Sequence, residues 1–131
     1  MALAVIGLTI GIVTPRIASM QDRLAVEQAA QHLVAAHRRA RITSILRSRP
    51  AVLTIGPDSF SIRMAGESAD VWGSRGPAGW GVTLAGPVRR LTFSPVGITT
   101  GLSNATFRLS RGSAVRTIVV SRLGRVRRDV P

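Results

Sequence analysis

The 131-residue sequence has no cysteine, no lysine and few acidic residues. Without cysteine, neither a disulfide framework nor a thiolate metal site can form. Two histidines and six acidic residues leave little for acid–base or metal chemistry. His32 and His37 are five positions apart and do not share a helix face, and no serine stands in a suggestive pattern with histidine and an acid. We therefore expect a protein that is not an enzyme and has no metal and no cofactor.

The charge of the chain is strongly unbalanced. All eighteen cationic residues are arginine and only six residues are acidic, which gives a formal net charge of +12. A basic surplus of this size favours phosphate, anionic lipid or an acidic protein as partner, and arginine favours bidentate contact with phosphate or carboxylate. A GC-rich genome would also replace lysine by arginine, but it would not explain the shortage of acidic residues. At this length we expect one small domain and a leading helix.

An apolar segment opens the sequence. Residues 1–13 read MALAVIGLTIGIV and are followed by Thr14, Pro15 and Arg16. The run is shorter than the roughly 20 residues that cross a bilayer, and it lacks the basic leader and the small-residue cleavage site of a secretory signal. We interpret it as the latter part of a longer membrane helix that starts upstream of Met1. The alternative is a buried N-terminal strand or helix.

A helical pattern continues after Pro15 to about Leu46. Apolar and small residues recur at spacings of three and four, and the alanine-rich composition supports a continuous helix. Pro15 lacks a backbone donor and is expected to kink this helix where it leaves the membrane. Gly7 and Gly11 have the four-residue spacing of a small-residue face for helix packing. The apolar stripe comprises Ile17, Met20, Leu24, Val26, Ala29, Leu33, Ala36 and Ala40.

Basic residues gather near the end of this helix. Cations at that position complement the negative end of the helix dipole, so the arrangement has a simple structural explanation. The group consists of His37, Arg38, Arg39, Arg41, Arg47 and Arg49.

Strand-like runs separated by turn residues follow the helix. Two of them, at 51–55 and 60–64, flank the turn residues of 56–59 and predict a hairpin. Three further strands are predicted at 90–94, 105–110 and 115–122.

The stretch 65–81 is rich in glycine, serine, alanine and proline, and we interpret it as a long loop. It contains Trp72 and Trp80. These two side chains are expected to anchor the loop on the sheet, and the alternative is that they stack on single-stranded nucleic acid.

Together these elements predict an α+β fold, in which a long N-terminal helix packs on a small, mainly antiparallel sheet of about five strands. We divide the chain into an apolar membrane segment at 1–15, the amphipathic half of the helix at 16–49 and a β-domain at 50–131. The predicted core residues are Leu33, Val52, Leu53, Ile55, Phe60, Ile62, Leu91, Phe93, Phe107, Leu109, Ile118 and Val120.

Three segments carry a resemblance to a known family. The run ALAVIGLTIGIVTPRIASM at 2–20 is similar to the latter part of the N-terminal helix of type IV pilin-like proteins, including a proline at the membrane exit. The run LTFSPVGITTG at 91–101 is similar to a Phe-x-Pro-x-Gly turn, and TIVVSRLGRVRRD at 117–129 to a closing strand followed by Gly-Arg-x-Arg. The set resembles the family that contains the minor pseudopilin H of type II secretion systems and the pilus protein FimT.

The resemblance implies a structural function. It implies a single-pass protein of the bacterial inner membrane, with its C-terminal domain in the periplasm, that assembles with other pilins or pseudopilins into a filament. The family's prepilin leader, with its cleavage-site glycine and the phenylalanine and glutamate that follow, would lie upstream of Met1. Either the true start is earlier or this copy is truncated. The leading hypothesis is a minor pseudopilin of a type II secretion system, with inner membrane lipid and other pseudopilins as partners.

The arginine-rich tail supports a second hypothesis. In FimT-like proteins the Gly-Arg-x-Arg tail is associated with DNA binding, which implies that role for Arg125 and Arg127, with Arg122 and Arg128 beside them. In an extended tail Arg125 and Arg127 would point to the same side, suited to successive phosphates. The chain would then be a DNA-binding minor pilin of a type IV pilus that acts in DNA uptake. The alternative is that arginine on an edge strand prevents aggregation through that edge. Both explanations stay open.

Overall fold

The computed structural model describes residues 2–100, 104–121, 123 and 125–129, with side chains from Arg16 to Arg128 within those ranges. These residues form one long helix, α1 (Ala2–Leu46), nine strands and a short 3-10 helix, η1 (Pro77–Trp80). The strands are β1 (Ala51–Ile55), β2 (Ser59–Met64), β3 (Asp70–Arg75), β4 (Thr83–Leu84), β5 (Arg89–Phe93), β6 (Thr99–Thr100), β7 (Asn104–Arg111), β8 (Ala114–Ser121) and β9 (Val126–Asp129).

Helix α1 ends where the sequence predicts its end. Its composition is rich in alanine, the best helix former. Ser48 adopts a left-handed conformation with φ of 50°, and the backbone amide of Arg49 donates to the carbonyl of Ser44 at 3.2 Å. This closure satisfies a carbonyl of the last turn. Pro50 cannot continue a helix, and the chain turns into β1.

Two antiparallel sheets pack against the helix. The first sheet has five strands in the order β3-β2-β1-β5-β6, and the second sheet has four in the order β4-β7-β8-β9. Leu53 lies opposite Ile62 in the hairpin of β1 and β2, and Phe107 lies opposite Ile118 between β7 and β8. Alternate residues of β1, β2, β5 and β7 are buried, so each sheet turns one apolar face inward.

The core lies between these two inner faces and one side of α1. Among the described side chains of the helix, which start at Arg16, the buried ones begin at Ala25 and are mostly small, which lets the sheets approach its backbone closely. The large buried side chains at the centre are Leu33, Phe60, Phe93, Phe107, Leu109 and Ile118.

The turn between β5 and β6 depends on a glycine. Gly97 has φ of 82°, a left-handed conformation that side-chain-bearing residues rarely adopt. A Cβ at this position would lie 3.0 Å from Arg41 Nε and 3.0 Å from Ile45 Cδ1. The amide of Gly97 donates to the carbonyl of Ser94 at 2.8 Å. The Phe-x-Pro-x-Gly motif therefore forms a tight turn seated against the end of α1.

The α+β fold is confirmed, as is the hairpin of β1 and β2. The sequence predicted one sheet of about five strands, whereas the structure has two sheets. One predicted core residue is wrong, because Val52 lies only half-buried on the outer face of β1 while Ala51 and Leu53 point inward. Two adjacent apolar residues cannot share a face of a strand, and the sequence pattern did not decide between them.

The interpretation of 65–81 as a long loop is wrong from Asp70 onward. That stretch contains β3, which pairs with β2, and η1. Strand β3 reads DVWGSR, and its small and polar residues conceal its strand character. Trp72 lies on β3 and Trp80 ends η1, and both side chains are partly buried and pack on the core.

The apolar stripe predicted on α1 divides into two parts. From Val26 onward its members are buried, but Ile17, Met20 and Leu24 are exposed. The helix runs without interruption through Pro15, and the predicted kink stays a prediction. Gly7 and Gly11 lie in α1 ahead of the described side chains, so their predicted packing stays a prediction too. Within the described part of the chain, no stretch of helix has the length and hydropathy needed to cross a bilayer.

Candidate functional site

The tail forms an edge strand whose arginines point in two directions. In the pairing of β9 with β8, Arg128 lies opposite the buried Ile118 and Arg127 lies opposite Val119. Directly opposed residues share one face of an antiparallel pair. Arg128 is therefore on the face turned to α1, and Arg127 is on the outer face of the second sheet.

Arg128 is held by a carboxylate of the helix. Its Nη1 lies 3.0 Å from Glu27 Oε1, while Nε of Arg116, on β8, lies 3.1 Å from Glu27 Oε2. One glutamate thus receives two guanidinium groups from neighbouring strands. Arg128 was predicted as a nucleic-acid contact, and the structure places it in this ion-pair cluster.

Arg125 and Arg127 are both exposed. Arg125 comes directly before β9, and its backbone closes the turn: Ser121 N donates to its carbonyl at 2.8 Å, and its own amide donates to Ser121 Oγ at 3.2 Å. Arg122, the fourth predicted contact, lies outside the described residues. The tail thus brings two of the predicted arginines to the outside of the second sheet.

A further arginine, Arg108, shares this outer face. It is exposed on β7 between the buried Phe107 and Leu109, and it lies opposite Thr117. No acidic residue occurs in β4, β7 or β8, and β9 ends at Asp129, which lies opposite Thr117. Sequence reasoning did not select Arg108, although its place between two core residues of a predicted strand already put it on the outer face.

The outer surface of α1 carries a row of exposed apolar side chains. Met20 and Leu24 are 68% and 61% exposed. At 100° per residue the members of the row lie on one side of the helix, away from both sheets. They are Ile17, Met20, Leu24, Ile42 and Leu46. This outer row has a polar interval, because the exposed Gln28, Gln31 and Arg38 lie between Leu24 and Ile42.

The two histidines of α1 differ in their surroundings. His32 is half-buried, its Nε2 lies 2.7 Å from Ser74 Oγ, and its ring contacts Phe60 and Trp80 at centroid distances of 5.8 and 5.1 Å. Burial, together with the charge of the nearby Arg75, lowers the pKa of His32.

His37 was grouped with the exposed cations of the helix end, and that prediction is wrong. Its side chain is only 1% exposed and packs edge-on against Phe93 with ring centroids 5.0 Å apart. Neither ring nitrogen has a hydrogen-bond partner among the described residues. Burial, followed by the charges of Arg41 and Arg38, lowers the pKa of His37 to about 4. It is therefore a neutral core residue at physiological pH.

Other arginines of the helix-end group have structural partners. The guanidinium of Arg39 lies 5.2 Å from the centre of the Trp72 ring, and Arg49 Nη1 lies 2.8 Å from Glu67 Oε1. These contacts tie the end of α1 to β3 and to the turn before it. They do not gather the group into a single site.

Comparison with known proteins agrees with this architecture. The family model for type II transport protein GspH matches residues 29–124. A crystal structure of the type IV minor pilin FimU from Pseudomonas aeruginosa superposes with a TM-score of 0.67 at 19% identity, covering 82% of this chain and 90% of that one. FimU in a second crystal form gives 0.65 at 20% identity, covering 79% and 92%. No curated protein sequence matches the chain. At these identities the structural matches show a shared fold.

Proposed function

The chain belongs to the family of type II transport protein GspH, and from this membership we propose that it is a minor pseudopilin of a type II secretion system. Its function would be mechanical: it packs with other pseudopilins in a short filament and performs no chemistry. The fold it shares with the minor pilin FimU supports a subunit of this kind.

The outer row of α1 is the observation that carries this proposal. At 1.5 Å per residue the 45-residue helix is about 67 Å long. Among its described side chains, which start at Arg16, burial begins at Ala25, and Ile17, Met20 and Leu24 are exposed. Exposed apolar rows of this kind are covered by a partner helix or by lipid. Neighbouring helices in a filament would cover it.

The same proposal includes the location. The apolar start of α1 would anchor the chain in the bacterial inner membrane as a single-pass protein, and the two sheets would lie in the periplasm. The partners would be membrane lipid before assembly and other pseudopilins afterwards. The apolar composition of residues 2–13 supports this arrangement.

The test is one charge placed on the outer row. Leu24→Asp puts a carboxylate at an apolar position that is 61% exposed, and Leu123→Asp makes the same change in the β-domain at a position that is 63% exposed. Both positions are on the surface, so both variants should fold. We expect Leu24→Asp to be absent from sheared filaments and to lose most cargo secretion, whereas Leu123→Asp keeps both. Normal incorporation of Leu24→Asp would refute the proposal.

The outer face of the second sheet favours a second candidate function. There Arg108, Arg125 and Arg127 are exposed on a surface whose central strands contain no acidic residue. Such a face suits a polyphosphate backbone. The chain would then be a DNA-binding minor pilin of a type IV pilus that acts in DNA uptake.

Salt dependence tests this candidate. Affinity for a DNA duplex would be measured against salt, with the full chain in zwitterionic detergent. Changing Arg125 and Arg127 to Ala should flatten the slope of log K on log salt by about two units. The control changes Arg49 and Arg63 to Ala, which removes the same charge from two positions outside the second sheet. Equal effects of the two double variants would reject a specific site.

A further inference from the structure

A cleft opens where the two sheets part. Strand β6 pairs with β5 only at Phe93 and Thr92, so the first half of β5 has no neighbour on that side among the described strands. The resulting cleft has a volume of about 450 Å³. It is lined by Pro87, Val88, Arg89, Arg90, Leu91, Thr100 and Ala105. Its lining includes two arginines and no acidic residue.

Arg89 occupies an unusual position in this cleft. It lies opposite the buried Ile55 and in line with Leu91 and Phe93, which places it on the inner face of the first sheet. Its side chain is half-buried, and among the described residues it has no ion pair and no hydrogen bond. Arg90, the next residue, lies opposite Thr54 and is exposed on the outer face. One strand thus presents two guanidinium groups on opposite faces.

A half-buried guanidinium without an acceptor is costly, because its five donors have lost part of their water. A carboxylate in the cleft would accept two charge-assisted hydrogen bonds from these donors. We propose that the cleft between the sheets binds a carboxylate side chain of a partner polypeptide through Arg89. The inference goes beyond the filament proposal, and it rests on that proposal only in that the partner would be a neighbouring subunit.

The walls of the cleft favour a polypeptide as the source of the anion. Pro87, Val88, Leu91 and Ala105 supply apolar surface around the guanidinium, which suits the aliphatic stem of a glutamate and its neighbouring residues. A phosphodiester backbone would leave this apolar surface uncovered. A second copy of this chain is a poor partner because each copy carries a formal charge of +12. The geometry therefore fits an acidic, partly apolar segment of another protein.

The test titrates the ¹⁵N-labelled full chain, in zwitterionic detergent, with the capped peptide Val-Glu-Val and its Val-Gln-Val counterpart. The glutamate peptide should shift the amide signals of Arg89, Leu91 and Ala105, and the glutamine peptide should not. Arg89→Gln should weaken binding at least about tenfold, because a hydrogen bond between charged groups is lost. Arg89→Lys keeps the charge without the fork and should recover part of the affinity.

Arg23→Gln is the control, since it removes the same charge from an exposed side chain of α1 that does not line the cleft. It should change the affinity less than about twofold, as expected for an exposed charge. Equal losses in Arg89→Gln and Arg23→Gln, unchanged signals at the cleft, or equal binding of both peptides would overturn the proposal. Thermal unfolding of each variant excludes a loss of fold as the cause. A negative result leaves the filament proposal intact, because that proposal rests on Leu24 and the outer row.

Discussion

Helix α1 meets the two sheets with different chemistry. Toward the first sheet it presents two histidines, which lie on Phe60 and Phe93. Toward the second sheet it presents its acids: Asp22 lies 3.0 Å from Arg111 Nε, and Glu27 is paired with two further arginines of that sheet. The contact with the first sheet therefore depends on burial and ring packing, whereas the contact with the second sheet adds ion pairs at its rim.

This difference predicts different responses to the environment. Apolar and aromatic contacts are insensitive to salt but fail when a buried group must take up a proton. Half-exposed ion pairs weaken when salt screens them. The first sheet should therefore separate from the helix in acid, and the contact to the second sheet should loosen in salt.

The largest effect is expected from Phe93→Ala. Phe93 is fully buried, and its ring faces the edge of His37. Its loss leaves a cavity, which should lower the free energy of unfolding by about 3–5 kcal/mol. Chemical denaturation of the full chain in detergent, followed by circular dichroism, measures this loss. It should be the same at low and high salt, and a clear salt dependence would contradict an apolar contact.

Acid should produce the next largest effect, through His37. Its pKa is lowered to about 4 in the folded protein, whereas an unfolded histidine has its ordinary value near 6.5. As the pH falls, His37 is protonated first in the unfolded state. Its contribution to the free energy of unfolding is therefore complete above about pH 6.5 and is lost as the pH falls to about 4. The loss over that window should reach about 3 kcal/mol.

His37→Leu should remove this part of the acid response, and it should be no less stable at neutral pH because it removes two unpartnered ring nitrogens. The comparison variant is His32→Gln. His32 is hydrogen-bonded to Ser74 and less buried, so its substitution should leave most of the acid response in place. An unchanged acid response in His37→Leu would disprove the assignment to His37.

The contact between the helix and the first sheet could be predicted from the sequence only in part. Alternation in 60–64 predicted Phe60 and Ile62 as core, because a half-buried strand has a period of two. In 51–55 the pattern did not separate Leu53 from Val52. Sequence reasoning missed His37 because adjacent arginines suggested an exposed cationic group. The helical spacing held the signal: His37 is four residues after Leu33 and three before Ala40, and both of these are buried.

The contact between the helix and the second sheet was harder to predict from the sequence. Glu27 and Arg128 are separated by 101 positions, and their pairing depends on the register of β9. That strand was not predicted, since a charged tail lacks the apolar alternation of a strand. The outward position of Arg108 was predictable, because it alternates with Phe107 and Leu109 in a predicted strand. The family motif, however, covers only the tail.

A smaller effect is expected from Glu27→Gln, which breaks both ion pairs of that carboxylate. Glu27 is 33% exposed, so the loss should be about 1 kcal/mol at low salt and less at high salt. Hydrogen exchange should be faster at the amides of β9, because Arg128 no longer holds the strand to α1. Unchanged exchange in β9 would show that the strand is held by its pairing with β8 alone.

The smallest effect is expected from Glu67→Gln, which breaks an ion pair on the side of the first sheet. Arg49 and Glu67 are 50% and 42% exposed, so water competes for both groups, and the loss should stay below about 0.5 kcal/mol. The same denaturation experiment compares it with Glu27→Gln. If the two losses are equal, ion pairs stabilise this fold wherever they lie, and the helix has no special electrostatic contact with the second sheet. A larger loss in Glu27→Gln would show that the electrostatic contact between the helix and the second sheet depends on Glu27, which is paired with arginines of two strands.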